Sequence, residues 1–192
     1  TTACSYTPAD KGYGIRAAIW AGAHLDAESA PVLFDRGLVA PGVDAGYVDS
    51  ENAFGGKAFP GTVGQYNPGS QPFLKVNRHG ERFMNESQEY DNASHASFQQ
   101  PGHVYAMIHD ANFRSDVDRF HTIGCSALTR YIPGMMEGQL EQYEGEGLIM
   151  KADTIEELAD KMGFTGADKD NFVATVARYN ELYDKQNDED FG

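Results

Sequence analysis

Apolar and polar residues alternate on both sides of a polar His79-Gly80 tip, in the stretch from Phe73 to Met84. Alternation with a period of two is typical of strands, and a short polar tip between two such runs predicts a tight turn. This stretch is therefore expected to form a β-hairpin. Three further apolar runs predict short strands: Pro31 to Arg36, Val104 to His109, and Gly147 to Lys151.

Helical patterns occupy the remainder of the chain. Thr154 and Glu157 form a capping box, which marks the start of a helix. Asp168 is expected to cap the last helix, whose apolar stripe is Phe172, Val176, Tyr179 and Tyr183, and residues 187–192 are expected to fray. Shorter helices are predicted at Gly14 to Ala23, after Asp110 through Asp116, and at Gln139 to Tyr143.

Residues 37–69 are rich in Gly and Pro and show no period, which predicts a long irregular loop. Such a loop usually binds a ligand or packs on another part of a protein. The chain is expected to divide near Gln71, into residues 1–70 and 71–192. Helices and hairpin-linked strands in succession predict an α+β fold.

The formal net charge is −14, and residues 134–192 carry 15 Asp/Glu against 5 Lys/Arg. Nucleic acid is therefore an unsuitable partner, since phosphate binding needs clustered cations. No apolar run is long enough to predict a membrane span. Cys4 and Cys125 show no metal-ligand spacing, so no metal is expected; free thiols are favoured over a disulfide between them. The sequence predicts no particular compartment.

Three side chains after the hairpin are candidates for catalysis. Arg82 and Glu86 stand four residues apart where the second strand ends, and Tyr90 follows four residues later. A tyrosine serves as a general acid when hydrogen bonds and a nearby cation lower its pKa. The alternatives are a structural ion pair between Arg82 and Glu86, and a half-buried Tyr90 bonded to the backbone.

A second candidate site lies at Gly12, Tyr13 and Gly14, where a glycine-flanked turn opens the first helix. Backbone N–H groups at a helix start can bind an anionic group. The alternative is a tight turn before a closely packed helix. The chain contains no Walker loop and no G-x-G-x-x-G motif.

The chain resembles the flavoproteins of the fumarate reductase/succinate dehydrogenase type in four segments that follow the family's order. The hairpin from Val76 to Glu86 is similar to their V-N-x-x-G-x-R-F-x-N-E pattern and is the most specific segment. The other three are Gly12 to Ala23, similar to G-D-G-x-x-M-A-x-x-x-G-A; Lys151 to Ala159, similar to K-A-D-T-L-E-E-L-A; and Thr175 to Asn180 with Asp190 to Gly192, similar to T-V-x-x-Y-N and D-x-D-F-G.

The resemblance implies FAD and hydride transfer between the flavin N5 and an activated C=C bond, by a reductase or a dehydrogenase. It makes residues 71–192 the cap domain that clamps the substrate, and residues 1–70 an edge of the flavin-binding domain. Gly12, Tyr13 and Gly14 would then contact the cofactor. Tyr90 stands where fumarate reductases have their proton-donating arginine, and Gln65 and Tyr66 stand where they have a Thr-Glu pair.

These departures argue against a simple dicarboxylate and favour an aryl enoate or a steroid-like enone, since carboxylates need cationic clamps. The remaining flavin-binding domain of the same protein is the expected partner. The chain alone is expected to bind FAD poorly and to show no turnover. Two other functions stay open at this point: a stand-alone acidic ligand-binding module without redox activity, and a cap that serves in subunit association.

Overall fold

The computed structural model describes residues 12–25, 37–45, 62–65, 71–120 and 133–192. The side chains of residues 62–65, 90, 91 and 133–136 lie outside this description. Both cysteines and the strand predicted at Pro31 to Arg36 also lie outside it. In the part of the chain that is described, no helix is long and apolar enough to cross a membrane.

The helices are α1 (Tyr13–Trp20), α2 (Tyr90–Phe98), α3 (Phe113–Arg119), α4 (Pro133–Gly145), α5 (Ile155–Lys161) and α6 (Gly166–Lys185). The strands are β1 (Gly37–Leu38), β2 (Thr62–Gln65), β3 (Leu74–Val76) and β4 (Ala106–Ile108). A 3-10 turn at Pro101–His103 leads from α2 towards β4.

Strands β3 and β4 form an antiparallel pair in which Leu74 faces Ile108 and Val76 faces Ala106. The sequence predicted the β4 strand, and this prediction is confirmed. The predicted hairpin is wrong in its second strand, because only a single bridge joins Val76 to Arg82. The main partner of β3 therefore comes from a strand about 30 residues further along the chain, after α2.

The two faces of this sheet support two apolar clusters, because successive side chains of a strand point to opposite faces. Leu74 and Val76 pack with Phe172 from α6, with Phe164 from the segment before α6, and with Ala159 from α5. Phe73, directly before β3, belongs to the other cluster, which is completed by residues of α3 and α4: Phe113, Val117, Leu140 and Tyr143.

The capping box predicted for α5 is confirmed, since the Glu157 amide donates to Thr154 Oγ1 at 3.1 Å. The helix after it begins earlier than expected: Thr165 is the N-cap of α6, and Asp168 lies in its first turn. Phe172 is fully buried as predicted, whereas Tyr183 is 64% exposed and is not part of the core.

Two shorter predictions between residues 133 and 151 also need correction. Helix α4 runs from Pro133 to Gly145 and is longer than the one or two turns expected. The strand predicted at Gly147 to Lys151 is absent from the described residues, because that stretch forms a turn and a bend. Leu148 and Ile149 still pack against the cluster of Phe73, so their apolar character serves the core without strand pairing.

Residues 186–192, called here the C-terminal strap, do not fray as predicted. Gln186 adopts a left-handed conformation with φ 54°, which ends α6. The strap then turns back on itself, since the Gly192 amide donates to the Asp188 carbonyl at 3.0 Å. Within the strap, Asp188 Oδ1 accepts the amides of Asp190 and Phe191, both at 3.1 Å.

Residues 37–45 are held against the β3 end of the molecule. Strand β1 pairs with β2, so the loop predicted at residues 37–69 contains a short strand pair among its described residues. Arg78 forms an ion pair with Asp44 and donates to the Val43 carbonyl at 2.8 Å. Gly102 lies so close that a Cβ there would come within 2.7 Å of both partners of the ion pair.

Candidate functional site

The turn at residues 77–80 places Arg82 at the edge of the sheet. Asn77 organises this turn, because its side-chain oxygen accepts the amides of His79 and Glu81 at 2.9 and 3.1 Å. Gly80 has φ +72° and lies against α6, where a Cβ would come within 2.5 Å of the Asp168 carbonyl oxygen. Only glycine fits such a conformation so close to another backbone. The chain then runs from this fixed turn into Arg82.

Arg82 is the centre of an ion cluster with two carboxylates. Its Nη2 lies 2.6 Å from Glu86 Oε2 and 2.7 Å from Asp188 Oδ2, and its Nη1 lies 3.0 Å from Asp188 Oδ1. Nε donates to both Glu86 oxygens at 3.0 and 3.1 Å. The guanidinium therefore binds one carboxylate on each of two edges, and one of them comes from 106 residues further along the chain.

This cluster is largely buried. The side chains of Arg82 and Glu86 are 9% and 3% exposed, and that of Asp188 is 24% exposed. The guanidinium carbon lies 5.0 Å from the Tyr179 ring centre and 4.8 Å from that of Phe191, so the cation is sandwiched between two aromatic rings. Charge-assisted hydrogen bonds in such surroundings are stronger than surface pairs.

The ionisation of the cluster follows from these contacts. Burial acts to lower the pKa of Arg82, but the hydrogen bonds that Arg82 donates to Glu86 and Asp188 outweigh it, and the pKa is raised overall. The hydrogen bonds from Arg82 lower the pKa of Asp188 to about 2. Burial, with the Glu86 charge nearby, raises the pKa of Tyr179 to about 12. At neutral pH Arg82 and Asp188 are therefore charged, and Tyr179 keeps its proton.

The turn between the cluster and α2 is anchored at two points. Glu86 accepts the Lys75 backbone amide at 3.3 Å, which fixes it to β3. Asn85 donates to the Gly192 carbonyl at 2.8 Å, and its side-chain oxygen accepts the Ser87 amide at 2.9 Å. Helix α2 follows with Glu89 as its N-cap and without a side-chain capping bond.

The structure thus brings together two of the three predicted catalytic side chains. Arg82 and Glu86 are in direct contact, and each makes several hydrogen bonds to protein partners, which favours the ion-pair alternative that the sequence left open. Tyr90 is the first residue of α2, and its side chain lies outside the described residues. The catalytic roles of all three stay predictions. Asp188, the third member of the cluster, is the first residue of the D-x-D-F-G match, but the sequence did not single it out as a site residue.

The turn at Gly12 and Gly14 has an exposed, open backbone. Gly12 is left-handed with φ 67°, and α1 begins without a side-chain capping bond. A Cβ built on Gly12 or Gly14 meets no atom of the described residues within 4 Å. Tyr13 is 65% exposed, and the described structure buries no residue of α1. The binding roles of Gly12, Tyr13 and Gly14 stay predictions.

A broad open cavity of about 2160 Å³ is lined by residues of α3 and α4 and also by residues of α5 and α6. Neither Arg82 nor Glu86 lines it, whereas Ser94 and Ser97 of α2 do. Ser94 Oγ and the Gln71 amide are buried and make no hydrogen bond in the described structure. The sequence did not single out either side chain. Within the same residues, no group of three or more His, Cys, Asp or Glu could hold a metal.

Comparison with known proteins gives three informative similarities. The vinyl phenol reductase of Lactiplantibacillus plantarum is 30% identical over 94% of this chain and 35% of its own length. The 3-oxosteroid 1-dehydrogenase of Mycolicibacterium smegmatis is 36% identical over 65% of this chain and 21% of its own. The fumarate reductase (cytochrome) of Shewanella frigidimarina is 30% identical over 62% of this chain and 17% of its own.

The chain spans between a tenth and about a third of the length of the curated relatives that it matches. No family model matches it. Reductases of fumarate and acrylate and steroid dehydrogenases nevertheless all align with part of the chain. The chain belongs to the fumarate reductase-like family of FAD-dependent flavoproteins, of which it forms a fragment.

Proposed function

We propose that this chain is the cap, with one edge of the flavin-binding domain, of an FAD-dependent oxidoreductase that acts on an activated C=C bond. The observation that carries the proposal is the alignment of 94% of the chain with about a third of a vinyl phenol reductase. The relatives named above are reductases or dehydrogenases. This favours a redox enzyme over an acidic ligand-binding module.

A bound flavin in its reduced form would supply the hydride that adds to the β-carbon of the substrate, and the flavin would thereby be oxidised to FAD. The proposed task of this chain is to supply the proton. The Tyr90 hydroxyl gives its proton to the α-carbon, so that the C=C π bond is replaced by two new C–H bonds. The tyrosinate then regains a proton from water. A phenol with an ordinary pKa near 10 is a weak acid, so it needs the flavin-side surroundings of the complete enzyme to act.

Helix α1 supports the proposed partnership with the remaining flavin-binding domain. Its exposed side chains include Tyr13, Ile15, Ile19 and Trp20, whose exposed fractions range from 41% to 77%. Arg16 lies over both aromatic rings, at 5.7 and 5.4 Å from their centres. A row of large apolar side chains in water is unfavourable. In the complete protein these residues would pack on that domain, with Gly12 and Gly14 close to FAD.

The proposed substrate is an aryl enoate or a steroid-like enone. Gln65, Tyr66 and Tyr90 stand where fumarate reductases use charged or hydrogen-bonding clamps. Two relatives carry names that fit larger, less charged molecules, a vinyl phenol and a 3-oxosteroid. These three positions therefore offer no cation to bind the carboxylates of a dicarboxylate substrate.

The test is Tyr90→Phe in the full-length flavoprotein. Turnover of aryl enoates, steroid enones and fumarate is measured by the reoxidation of reduced flavin. Loss of a general acid typically costs about 10²- to 10⁴-fold in rate, so we expect kcat to fall by at least about a hundredfold while the flavin content stays the same.

Tyr183→Phe is the matched control, because Tyr183 is an exposed tyrosine on α6. This variant should turn over like the unmodified enzyme. Unchanged turnover in Tyr90→Phe would refute the proton-donor assignment. A full-length enzyme that reduces fumarate faster than any aryl or steroid substrate would refute the substrate class.

A further inference from the structure

We propose that Arg82 is a positioning residue: by holding Glu86 and Asp188 together, it fixes the start of α2 and therefore the location of Tyr90. The inference rests on the proposed function, because it assigns a role relative to the proposed proton donor. It differs from a catalytic role, since Arg82 would act through the backbone of residues 85–90 rather than on the substrate.

The first step of the argument is that α2 does not fix its own beginning. A side-chain cap normally settles where a helix starts, but Glu89 makes no such bond. The backbone bonds at this end are few and local: the Ala93 amide donates to the Glu89 carbonyl at 3.0 Å, and the Gln88 amide to the Asn85 carbonyl at 3.3 Å. The position of the first turn therefore depends on what holds residues 85 and 86.

The second step is that both residues are held by the C-terminal strap. Glu86 binds Arg82, whose other edge binds Asp188 through two hydrogen bonds of 3.0 and 2.7 Å. Asn85 donates to Gly192 at the other end of the strap. Phe191 covers the guanidinium between these two contacts. Two strap contacts thus fix two consecutive residues, four and five positions before Tyr90.

The third step is that the strap offers a comparison within the same segment. Arg178 also binds the strap, through Asp190 at 2.7 Å and Glu189 at 3.0 Å. These contacts join the strap to α6, and they do not include Glu86 or Asn85. If attachment of the strap alone positioned α2, loss of the Arg178 contacts would disturb α2 as much as loss of the Arg82 contacts. If the link to Glu86 positions α2, only loss of the contact between Arg82 and Asp188 should disturb it.

The experiment compares Asp188→Asn with Arg178→Gln in the full-length flavoprotein. Misplacement of a reacting group by about 1 Å costs on the order of a hundredfold in rate. We therefore expect Asp188→Asn to lower kcat for the best enoate between about tenfold and a hundredfold. Arg178→Gln should leave kcat unchanged, and Asp188→Glu, which keeps a carboxylate, should restore most of the rate.

Three readouts separate positioning from general loss of structure. In Asp188→Asn, flavin content and reoxidation of the reduced flavin by oxygen should stay normal, since neither needs the proton donor. The fall should appear in kcat more than in KM. The pKa seen in the pH profile of kcat should not move, because neither Arg82 nor Asp188 lies in the proposed proton path.

If Asp188→Asn fails to fold, Asn85→Ala replaces it, because it loosens the same turn without leaving a buried charge unpaired. A smaller fall in kcat, with normal flavin content, would support the proposal. Normal kcat in a folded variant, with Tyr90→Phe inactive, would overturn the positioning role and leave the proposed function intact. A change confined to KM, or an equal loss in Arg178→Gln, would also overturn it. Full activity in Tyr90→Phe would overturn both proposals.

Discussion

The carboxylate of Asp188 should make the stability of this protein depend on acid in a defined way. Its pKa lies at about 2 in the folded protein, against an ordinary value of 3.8. This lowering of the Asp188 pKa stabilises the folded state by about 2 kcal/mol at neutral pH. Since 24% of the side chain is exposed, solvent screening reduces this to about 1–2 kcal/mol. The stabilisation is complete above about pH 4 and is lost as the pH falls towards about 2.

The perturbation is Asp188→Asn, which removes the charge and keeps the size of the side chain. Urea unfolding of the protein and of the variant, followed by circular dichroism, should show a difference of about 1–2 kcal/mol between pH 6 and 7. That difference should shrink as the pH falls from 4 towards 2, because the wild-type carboxylate becomes protonated. Asp184→Asn, an exposed carboxylate on α6, is the control and should change stability little at any pH.

A difference between wild type and Asp188→Asn that stays constant from pH 7 to 3 would refute this reasoning. It would mean that the effect comes from lost packing or from the amide itself. A variant as stable as wild type at pH 7 would show that the ion pair with Arg82 contributes nothing net. Either result would leave the apolar contacts of Phe191 and Tyr179 as the source of the strap's attachment.

Two further changes test the fold around the site. Gly80→Ala should lower the free energy of unfolding by more than about 2 kcal/mol, because its Cβ would come within 2.6 Å of the Phe172 amide nitrogen. Gly163→Ala, at φ +83° with open space around its Cβ, should cost only about 1 kcal/mol; equal losses would contradict the role of crowding. Thr154→Ala should cost about 1 kcal/mol through loss of the α5 cap, measured as a lower Tm, and Thr154→Ser should retain most of it.

Local signals predicted the C-terminal helices well. The capping box at Thr154 and the period of Phe172, Val176 and Tyr179 act within a few residues, so no knowledge of the rest of the fold is needed. Tyr183 continues that period and is nevertheless exposed, because the sheet against which α6 packs is only three residues deep on each strand. Periodicity indicates which face of a helix is apolar. It does not indicate how much of that face is buried by neighbouring elements.

The sequence did not predict the long-range contacts. The partner of β3 is β4, across α2, and the alternation at residues 73–84 gave no means of choosing it over the nearer hairpin strand. The strap was expected to fray, because it follows the last helix as a short run of polar and acidic residues. Asp188 is instead bound by Arg82, 106 residues away, a pairing that only the folded chain creates. In the site, the i,i+4 pair of Arg82 and Glu86 was visible in the sequence. Asp188 lies in the D-x-D-F-G segment, but nothing in the sequence predicted that it pairs with Arg82.

The contacts of Arg78 bear on how the molecule can be shortened. Arg78 and Gly102 both belong to the part after residue 71, yet they enclose Asp44 and Val43, and Leu38 covers the cluster that contains Phe73. A truncated chain starting at residue 71 would lose the Asp44 carboxylate beside Arg78 and would expose apolar surface next to the sheet. Recombinant versions of residues 71–192 should therefore keep residues 37–45 as well, or replace the apolar residues next to Leu38 with polar ones, to avoid aggregation.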